Sequence, residues 1–261
     1  MVTETLFESR QILNVRVDAT TYADATASVL RWAADSRSCY VCLANVRSLM
    51  EARASREYQA VMQQADLVTS DGMPLVWLLR WLGVSHATRV YGPDLMPLIL
   101  AAAARQGVRV GFYGGSESSL PRLVGAIASR FPNLKLRYAY APPFRALTRE
   151  EDSGVVRAID DAGVRILFVG IGSAKQDLWM HAHLGRIQAV MLGVGAAFDY
   201  LARTKPQAPR WMQRCGLEWL FRLCTEPRRL WRRYLRDNPR FALLALAMLI
   251  RTRFNEHRRP A

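Results

Sequence analysis

Short apolar runs alternate with segments of helical periodicity along the first three quarters of the chain. Runs with the length and composition of β-strands occur at 12–18, 40–45, 66–70, 108–114, 134–141, 165–172 and 189–195. Helical patterns lie between them at 22–35, 48–64, 73–83, 94–106, 118–131, 149–162 and 175–185. This regular alternation predicts an α/β fold, in which a Rossmann-like, mostly parallel sheet is flanked by helices on both faces.

The pattern changes near Asp199, after which only helical periodicity remains. Four prolines punctuate this last part of the chain: Pro206, Pro209, Pro227 and Pro239. We therefore expect two units, an α/β domain over residues 1–202 and a basic helical C-terminal appendage over residues 203–261.

Most of the positive charge lies in the predicted appendage. The chain carries 36 Lys and Arg against 22 Asp and Glu, a net charge of +14. Residues 203–261 hold 15 of the basic and 4 of the acidic residues, which gives +11 of that total. Seven arginines stand among five aromatic residues from Gly216 to Phe241. This composition favours a phosphate-rich partner, which leaves three candidates: nucleic acid, anionic lipid headgroups or a diphosphate group.

The sequence gives no sign of export or of a membrane span. The N-terminal residues MVTETLFESR contain no apolar stretch, so we expect no signal peptide and a reducing compartment. The longest strongly apolar run, 241–250, has ten residues, whereas a spanning helix needs about 20. Cys39 and Cys42 form a C-x-x-C, but these positions of a strand face opposite sides, which favours two separate core cysteines.

Polar residues and glycines follow several predicted strands, where open parallel sheets bind their ligands. The candidates are Asn45, Asp71, Gly114, Gly172, Gln176 and Gly195. Glycines before a helix N-terminus can hold phosphate through backbone N–H groups. The chain has no complete G-x-G-x-x-G and no Walker loop. Their absence counts against a second enzyme hypothesis, a dinucleotide-dependent oxidoreductase.

Asp71 is the strongest single candidate for chemistry. It follows the predicted strand 66–70 and precedes a glycine and a helix that begins with MPLVW. A carboxylate at that place would stand in a cleft at the sheet edge. The structural alternative is an ordinary helix N-cap, a frequent role for aspartate.

The chain resembles the WecG/TagA/CpsF glycosyltransferases, glycosyltransferase family 26, from about Asn14 to Phe241. The segments that carry the resemblance, in the family's order and spacing, are NVRSLMEA, ADLVTSDGMPLVW, RVYGPDL, FYGG, FVGIGSAKQDLWM, GVGAAFDYLA, APRW and GLEWLFRLCTEPRRLWRRY. Within the family, the chain looks most like the xanthan-type exopolysaccharide glucosyltransferases.

The resemblance implies a reaction and a place in the cell. Members transfer a sugar, with inversion, from a UDP-sugar donor to a polyprenyl-diphosphate-linked sugar acceptor. The expected role is the synthesis of exopolysaccharide or another cell-surface polysaccharide, and glucose is the favoured donor sugar. An N-acetylmannosamine-type donor, as in teichoic acid or common antigen synthesis, is the alternative. The expected location is cytoplasmic, peripheral on the inner face of the bacterial cell membrane.

The resemblance also implies roles for individual residues. Asp71 fills the position of the general base, and Arg222, Arg229 and Arg232 match catalytic arginines of the appendage. The residues expected to bind substrate are Asn45, Arg89, Gln176, Gly114, Gly172 and Gly195.

We expect the enzyme to need no metal and no other cofactor. The chain contains no D-x-D, and arginines can stabilise the diphosphate leaving group instead. His181 and His183 point in nearly opposite directions on a predicted helix, which makes them poor metal ligands. Glu218 could serve as an acid, but we favour an ion pair with an arginine of the appendage.

Two features of the chain bear on its partners. Leu230, Trp231, Tyr234 and Leu235 cluster on one side of a predicted arginine-rich helix, the pattern of a helix lying on an anionic membrane surface. Leu43 stands where the family usually has threonine, which can reflect a different donor sugar.

The alternative of another class is a non-catalytic, basic nucleic-acid-binding protein. It explains the charge but not the polar residues at the strand ends, so we expect no nucleic-acid partner. The sequence leaves homo-oligomerisation open.

Overall fold

The computed structural model describes residues 7–256, and within them the chain forms one eight-stranded sheet surrounded by helices. The strands are β1 Ser9–Ile12, β2 Val15–Asp18, β3 Cys39–Ala44, β4 Leu67–Ser70, β5 Arg109–Gly114, β6 Lys135–Tyr140, β7 Ile166–Gly170 and β8 Val190–Gly193. The helices are α1 Tyr22–Ala34, α2 Val46–Ala54, α3 Arg56–Gln64, α4 Met73–Trp81, α5 Gly92–Gln106, α6 Ser119–Arg130, α7 Arg149–Asp161, α8 Ser173–Ala182, α9 Ala197–Leu201, α10 Arg210–Arg214, α11 Glu218–Thr225 and α12 Pro227–Glu256.

The strand order across the sheet is β1-β2-β4-β3-β8-β7-β5-β6. Only β1 and β2 pair antiparallel, and the other neighbours are parallel. The predicted α/β fold with a mostly parallel sheet is therefore confirmed. The order also makes β4, β3, β8 and β7 adjacent, so the loops that follow these four strands open on one edge of the sheet.

The first predicted strand, 12–18, is wrong as a single element. The chain reverses at Leu13 and Asn14, which have φ angles of 50° and 67°. Two consecutive left-handed residues form the tight turn that suits a β-hairpin, and asparagine tolerates this conformation well. The hairpin β1–β2 results, with Ile12 paired to Val15.

The predicted helix 48–64 is two helices. Ser55 lies between α2 and α3 with extended backbone, and its hydroxyl caps α3 by accepting a hydrogen bond from the Tyr58 N–H. The opposite error occurs at Pro239, which we expected to punctuate the appendage. It lies inside the 30-residue helix α12, which continues on both sides of it.

Two apolar layers cover the two faces of the sheet. Cys39 packs in one layer and Cys42 in the other, which confirms that this C-x-x-C is not a shared site. Phe241 and Ala245 of α12 are buried in the same layer as Cys42. The last helix therefore extends the core of the α/β body.

Further contacts dock the predicted appendage on the body. Gly216 has a φ of 69°, and a Cβ atom there would lie 2.6 Å from Cη2 of Trp77 on α4, so a larger residue would be strained and would displace the Trp77 ring. Lys205 forms an ion pair with Asp199, at 2.7 Å. The division at 202/203 stays a prediction, and residues 1–6 and 257–261 of the two predicted units lie outside the described residues.

The apolar cluster predicted on the arginine-rich helix does not lie on one exposed face. Leu230 is fully buried, and Tyr234 lines a cavity described below. Trp231 and Leu235 are exposed. The prediction that all four residues face a membrane is wrong for Leu230 and Tyr234, because docking of α12 covers them. Nowhere in residues 7–256 is there a helix with the length and apolarity needed to cross a bilayer.

Candidate active site

A cavity of about 680 Å³ opens at the carboxyl ends of the four adjacent strands. The loops after β3, β4, β7 and β8 form its floor, and α4, α11 and α12 form its walls. Six of the predicted site residues line it along its floor and inner wall: Asn45, Asp71, Arg89, Gly172, Gln176 and Gly195. The parallel sheet brings these residues together from positions that are far apart in sequence.

Asp71 lies at the end of β4 with its carboxylate held from two sides. Its backbone N–H donates to the Ala44 carbonyl at 2.8 Å, which continues the pairing of β4 with β3. Its Oδ1 accepts a hydrogen bond from the Gly92 N–H at 3.0 Å, and its Oδ2 accepts one from Asn45 Nδ2 at 3.4 Å. The N-cap of the following helix is Gly72. Asp71 is therefore not the ordinary N-cap that the structural alternative required.

Burial raises the pKa of Asp71 to about 6, from an ordinary value near 3.8. The guanidinium of Arg89 opposes this shift, whereas the carboxylate of Glu218 adds to it. A carboxylate with a raised pKa is ionised at neutral pH and still binds a proton readily. This is the property that a general base needs.

Arg89 connects the base to the appendage. Its Nε donates to the Asp71 carbonyl oxygen at 2.5 Å, and its Nη2 lies 2.5 Å from Glu218 Oε2 on α11. The Tyr91 hydroxyl donates to Glu218 Oε1 at 3.0 Å. Glu218 does pair with an arginine, but the prediction of an appendage arginine is wrong, because Arg89 belongs to the α/β body.

Asn45 and Gln176 are fixed by the loops they occupy. Asn45 caps α2: its Oδ1 accepts hydrogen bonds from the N–H groups of Arg47 and Ser48. This leaves its Nδ2 to face Asp71. Gln176 is buried, and its Oε1 accepts a hydrogen bond from the Gly195 N–H at 3.1 Å. Both side chains therefore line the cavity in defined orientations.

The predicted glycines divide into two groups. Gly172 has a φ of 98° and precedes α8, which has no side-chain cap, and a Cβ there would meet open space. Gly195 also lines the cavity. Gly114 does not line it: its φ is 129°, and a Cβ would lie 2.5 Å from the backbone of Gly170. The lack of a side chain at Gly114 allows β5 to approach β7 closely. Its neighbour Gly115 lines the cavity instead.

Of the three predicted catalytic arginines, two line the cavity. Arg222 of α11 and Arg229 of α12 do so, and Arg229 pairs with Glu226. Arg232 is exposed, lies outside the cavity lining, and stacks on Trp231 with 5.2 Å between guanidinium and ring centre. The structure therefore does not bring Arg232 together with Asp71. Its neighbour Arg233 lines the cavity in its place.

Sequence reasoning missed several residues that line this site. Lys205 adds a cation, Tyr91 and Tyr200 add phenols, and Trp77 adds an apolar wall. Tyr91 stands inside the quoted RVYGPDL segment, two residues after Arg89, and this position was a usable signal. Trp77 and Tyr200 likewise stand inside the quoted segments ADLVTSDGMPLVW and GVGAAFDYLA, whereas Lys205 lies outside all of the quoted segments.

Cationic side chains line one part of the cavity. Residues 7–256 contain no group of three or more His, Cys, Asp or Glu side chains arranged to hold a metal ion. Four cationic side chains of the last quarter line the cavity: Lys205, Arg222, Arg229 and Arg233. A base beside several cations is suited to a reaction that removes a proton and releases an anion.

Comparison with known proteins identifies one family and two relatives that share the same name. The model of the family described as "Glycosyl transferase WecG/TagA/CpsF family" matches residues 10–255. An N-acetylglucosaminyldiphosphoundecaprenol N-acetyl-beta-D-mannosaminyltransferase of Bacillus spizizenii is 28% identical, over 77% of this chain and 76% of its own length. A protein of Bacillus subtilis with the same name is 29% identical, over 73% of this chain and 72% of its own.

Proposed function

The chain belongs to the WecG/TagA/CpsF family of glycosyltransferases, and on that premise we propose that it transfers N-acetylmannosamine, with inversion, from a UDP-linked donor to a polyprenyl-diphosphate-linked N-acetylglucosamine. The observation that carries this proposal is the position of Asp71. Its carboxylate lines the cavity with a raised pKa, beside cations that suit a diphosphate. The relatives' names support the choice of sugars.

Asp71 acts as the general base in the proposed reaction. Its carboxylate accepts the proton of the acceptor's attacking hydroxyl, and the oxygen forms the new bond to the anomeric carbon of the donor. The bond between that carbon and the UDP oxygen breaks, and both its electrons leave with UDP. Attack from the face opposite UDP inverts the anomeric centre, which turns an α-linked donor into a β-linked product. This outcome agrees with the β-D-mannosaminyl linkage in the names of both relatives.

The leaving UDP gains negative charge, which cationic side chains can stabilise. Arg222 and Arg229 are suited to this role, and Lys205 lies close to Arg229 because both contact Glu226. Arginine forms paired hydrogen bonds with phosphate oxygens, so these residues can replace a metal. Gly172 and Gly195 leave backbone space beside the donor.

Glucose is the second candidate for the donor sugar. The two relatives are named for N-acetylmannosamine transfer, which makes glucose the weaker choice. The residue Leu43 is the reason to test glucose as well. It lines the cavity at a position where the family usually has threonine, and its Cδ1 lies 2.8 Å from where a Cβ of Gly92 would be. Leucine therefore replaces a hydroxyl with an apolar contact in the wall of the pocket.

We further propose that the enzyme binds the anionic membrane surface that holds its acceptor. Leu243, Leu246 and Ile250 of α12 are exposed and share one face of the helix. Trp81 of α4 is also exposed. Apolar side chains beside arginines are typical of interfacial helices, and each cation near an anionic leaflet contributes about 1 kcal/mol. A wash with high salt should release most of the protein from anionic vesicles. Full retention would contradict a mainly electrostatic attachment.

A transfer assay with Asp71→Asn tests the proposed function. The wild type and the variant would receive labelled UDP-N-acetylmannosamine, then UDP-glucose, with a polyprenyl-diphosphate-linked N-acetylglucosamine in detergent. We expect transfer from the first donor, a loss of at least about a hundredfold in the variant, and no effect of EDTA. Asp66→Asn is the matched control, since Asp66 immediately precedes β4 at its other end and lies outside the cavity lining.

Three outcomes would count against parts of the proposal. Transfer from UDP-glucose alone would assign the donor to the second candidate. Equal transfer by Asp71→Asn and by the wild type would remove Asp71 as the base. A folded wild type that uses neither donor would contradict the proposed reaction with this acceptor.

A further inference from the structure

One ridge of α12 lines the cavity along the length of the helix. It consists of every fourth residue: Arg229, Arg233, Asp237, Phe241, Ala245 and Leu249. The ridge is charged over its first three members and apolar over its last three. Arg233 and Leu249 are 16 positions apart, which corresponds to about 24 Å along a helix. The cavity wall therefore changes from cationic to apolar over a distance that suits an elongated ligand with a charged head.

Arg233 is a cation without an anion. Its side chain is half-buried, its Nε is buried with no hydrogen-bond partner, and it pairs with no carboxylate in the part of the chain that the structure describes. Asp237 stands one turn further, but its carboxylate pairs with Arg236 at 2.9 Å. Leaving a half-buried guanidinium unpaired is unfavourable unless a ligand supplies the missing charge.

A second cation faces Arg233 from another helix. Burial, and then the charge of Arg47, lower the pKa of Arg233 below its ordinary value. Arg47 lies on α2 and lines the same cavity. Its Nε donates to Glu51 Oε1 at 2.8 Å, which leaves its Nη groups available. It is two residues after Asn45, whose amide faces Asp71. Two arginines near one another in the lining of the same cavity as the base form a site for a doubly charged anion.

The apolar part of the cavity continues from these arginines. Trp77 and Trp81 of α4 stand on one side of it, and the second half of the α12 ridge stands on the other. Ala242 also lines it, and small side chains there leave room between the two helices. A groove of this composition excludes water and binds a hydrocarbon chain.

We infer that Arg47, Arg233 and the groove between α4 and α12 form the subsite for the diphosphate and the first isoprene units of the lipid-linked acceptor. The inference rests on the proposed function, since it names where that substrate's lipid part binds. It separates the two diphosphates of the reaction: Arg222, Arg229 and Lys205 serve the donor, and Arg47 with Arg233 serves the acceptor. The order of base, cations and apolar groove matches the order of sugar, diphosphate and lipid.

Binding measurements test this subsite without relying on transfer. Calorimetric titrations with polyprenyl diphosphate in detergent micelles, and separately with UDP, would compare the wild type with Arg233→Gln and Arg47→Gln. We expect each variant to weaken lipid diphosphate binding at least tenfold and to change UDP binding less than twofold. Arg53→Gln is the matched control, because Arg53 is an exposed arginine of α2 outside the cavity lining. Circular dichroism would verify that each variant is folded.

The groove is tested by filling it. Ala242→Trp should weaken the binding of polyprenyl diphosphate at least fivefold and leave the binding of inorganic diphosphate unchanged. Ala247→Trp places the same side chain on α12 outside the cavity lining and should leave both unaffected. Loss of UDP binding alone in the arginine variants would assign the pair to the donor and overturn the inference, as would unchanged lipid binding in all variants. A wild type that binds polyprenyl diphosphate yet transfers no sugar would contradict the proposed function and leave the subsite standing.

Discussion

Arg89 and Glu218 form an ion pair, with 2.5 Å between Nη2 and Oε2, that joins the α/β body to the first helix after Gly216. Both side chains are largely buried, with 15% and 16% of their surface exposed. The same guanidinium holds the backbone of Asp71 through its Nε. Docking of α11 therefore sets the charge around the base and also closes the cavity.

Replacing Glu218 should change the pH at which the enzyme becomes active. As a base, Asp71 works when ionised, so kcat/KM should rise with pH through its pKa of about 6. Glu218→Gln removes a negative charge that raises this pKa and leaves the positive charge of Arg89 unopposed. Both effects favour the ionised form, so we expect the rise in kcat/KM to move to lower pH.

The pH profile of kcat/KM between pH 4.5 and 8 would measure this change. We expect its apparent pKa to fall by about half a pH unit or more in Glu218→Gln. The other titratable groups near Asp71 are the phenols of Tyr22, Tyr91 and Tyr200, all with raised pKa values, so they stay protonated over this range. Glu57→Gln, an exposed charge-matched change on α3, should leave the profile in place. A Glu218→Gln profile identical to that of the wild type would show that the pair is structural only.

Arg222→Gln and Arg232→Gln test whether the cavity lining or the family resemblance identifies the catalytic arginines correctly. Arg222 lines the cavity, whereas Arg232 is exposed outside it. Loss of one cation that stabilises a leaving group costs about a hundredfold in kcat. We expect a loss of that size for Arg222→Gln and a much smaller one for Arg232→Gln, measured as steady-state kcat in detergent. Equal losses would mean that α12 turns or moves when substrates bind.

Gly216→Ala should disturb docking of the appendage. The new Cβ would adopt a φ of 69° and stand 2.6 Å from the Trp77 ring. Gly185→Ala is the matched control, since Gly185 has a φ of 79° with nothing within 4 Å of its would-be Cβ. Both variants lose about 1 kcal/mol from backbone strain. Only Gly216→Ala should lose activity and expose residues 203–217 to limited proteolysis. Indistinguishable variants would argue against a tight contact with Trp77.

Asp177 should make stability depend on pH. Burial raises its pKa to about 7, while Tyr58 donates a hydrogen bond to its Oδ2 at 2.6 Å. In the unfolded chain this carboxyl has its ordinary value near 3.8. Its contribution to stability is therefore complete at low pH and is lost as the pH rises through about 7.

The isosteric variant Asp177→Asn lacks this titration. Urea unfolding at pH 5 and pH 8 should show that the wild type loses free energy of unfolding relative to the variant as the pH increases. Each unit of pKa difference corresponds to about 1.4 kcal/mol, so the effect should be measurable. A constant difference between the two proteins at both pH values would mean that Asp177 is ionised throughout.

The floor of the site could be predicted from the sequence because a parallel sheet fixes it. Asn45, Asp71 and Gln176 each follow a strand that apolar periodicity and composition identify. The carboxyl ends of these parallel strands meet at one edge of the sheet, independently of how the helices pack. The pairing Ile12–Val15 was not predictable from apolar periodicity, since residues 13–18 alternate between apolar and polar types straight through the turn at Leu13 and Asn14.

The wall formed by α12 was less predictable. This helix has apolar residues on two faces, such as Phe241 on the buried face and Leu246 on the exposed one. Helical periodicity shows that a helix forms but not which face meets the body. Neighbouring positions differ by about 100° in direction. That angle separates Arg232, outside the cavity, from Arg233, inside it.

The ridge of every fourth residue limits where α12 can gain or lose a residue. Substitution of one ridge member alters one contact. Insertion of a single residue after Asp237 would instead rotate all later side chains by about 100° and advance them by about 1.5 Å. Phe241, Ala245 and Leu249 would then leave the cavity together, and the core would lose two buried side chains. Variation among natural relatives should therefore consist of exchanged residues between Arg229 and Leu249, with insertions and deletions lying outside this stretch.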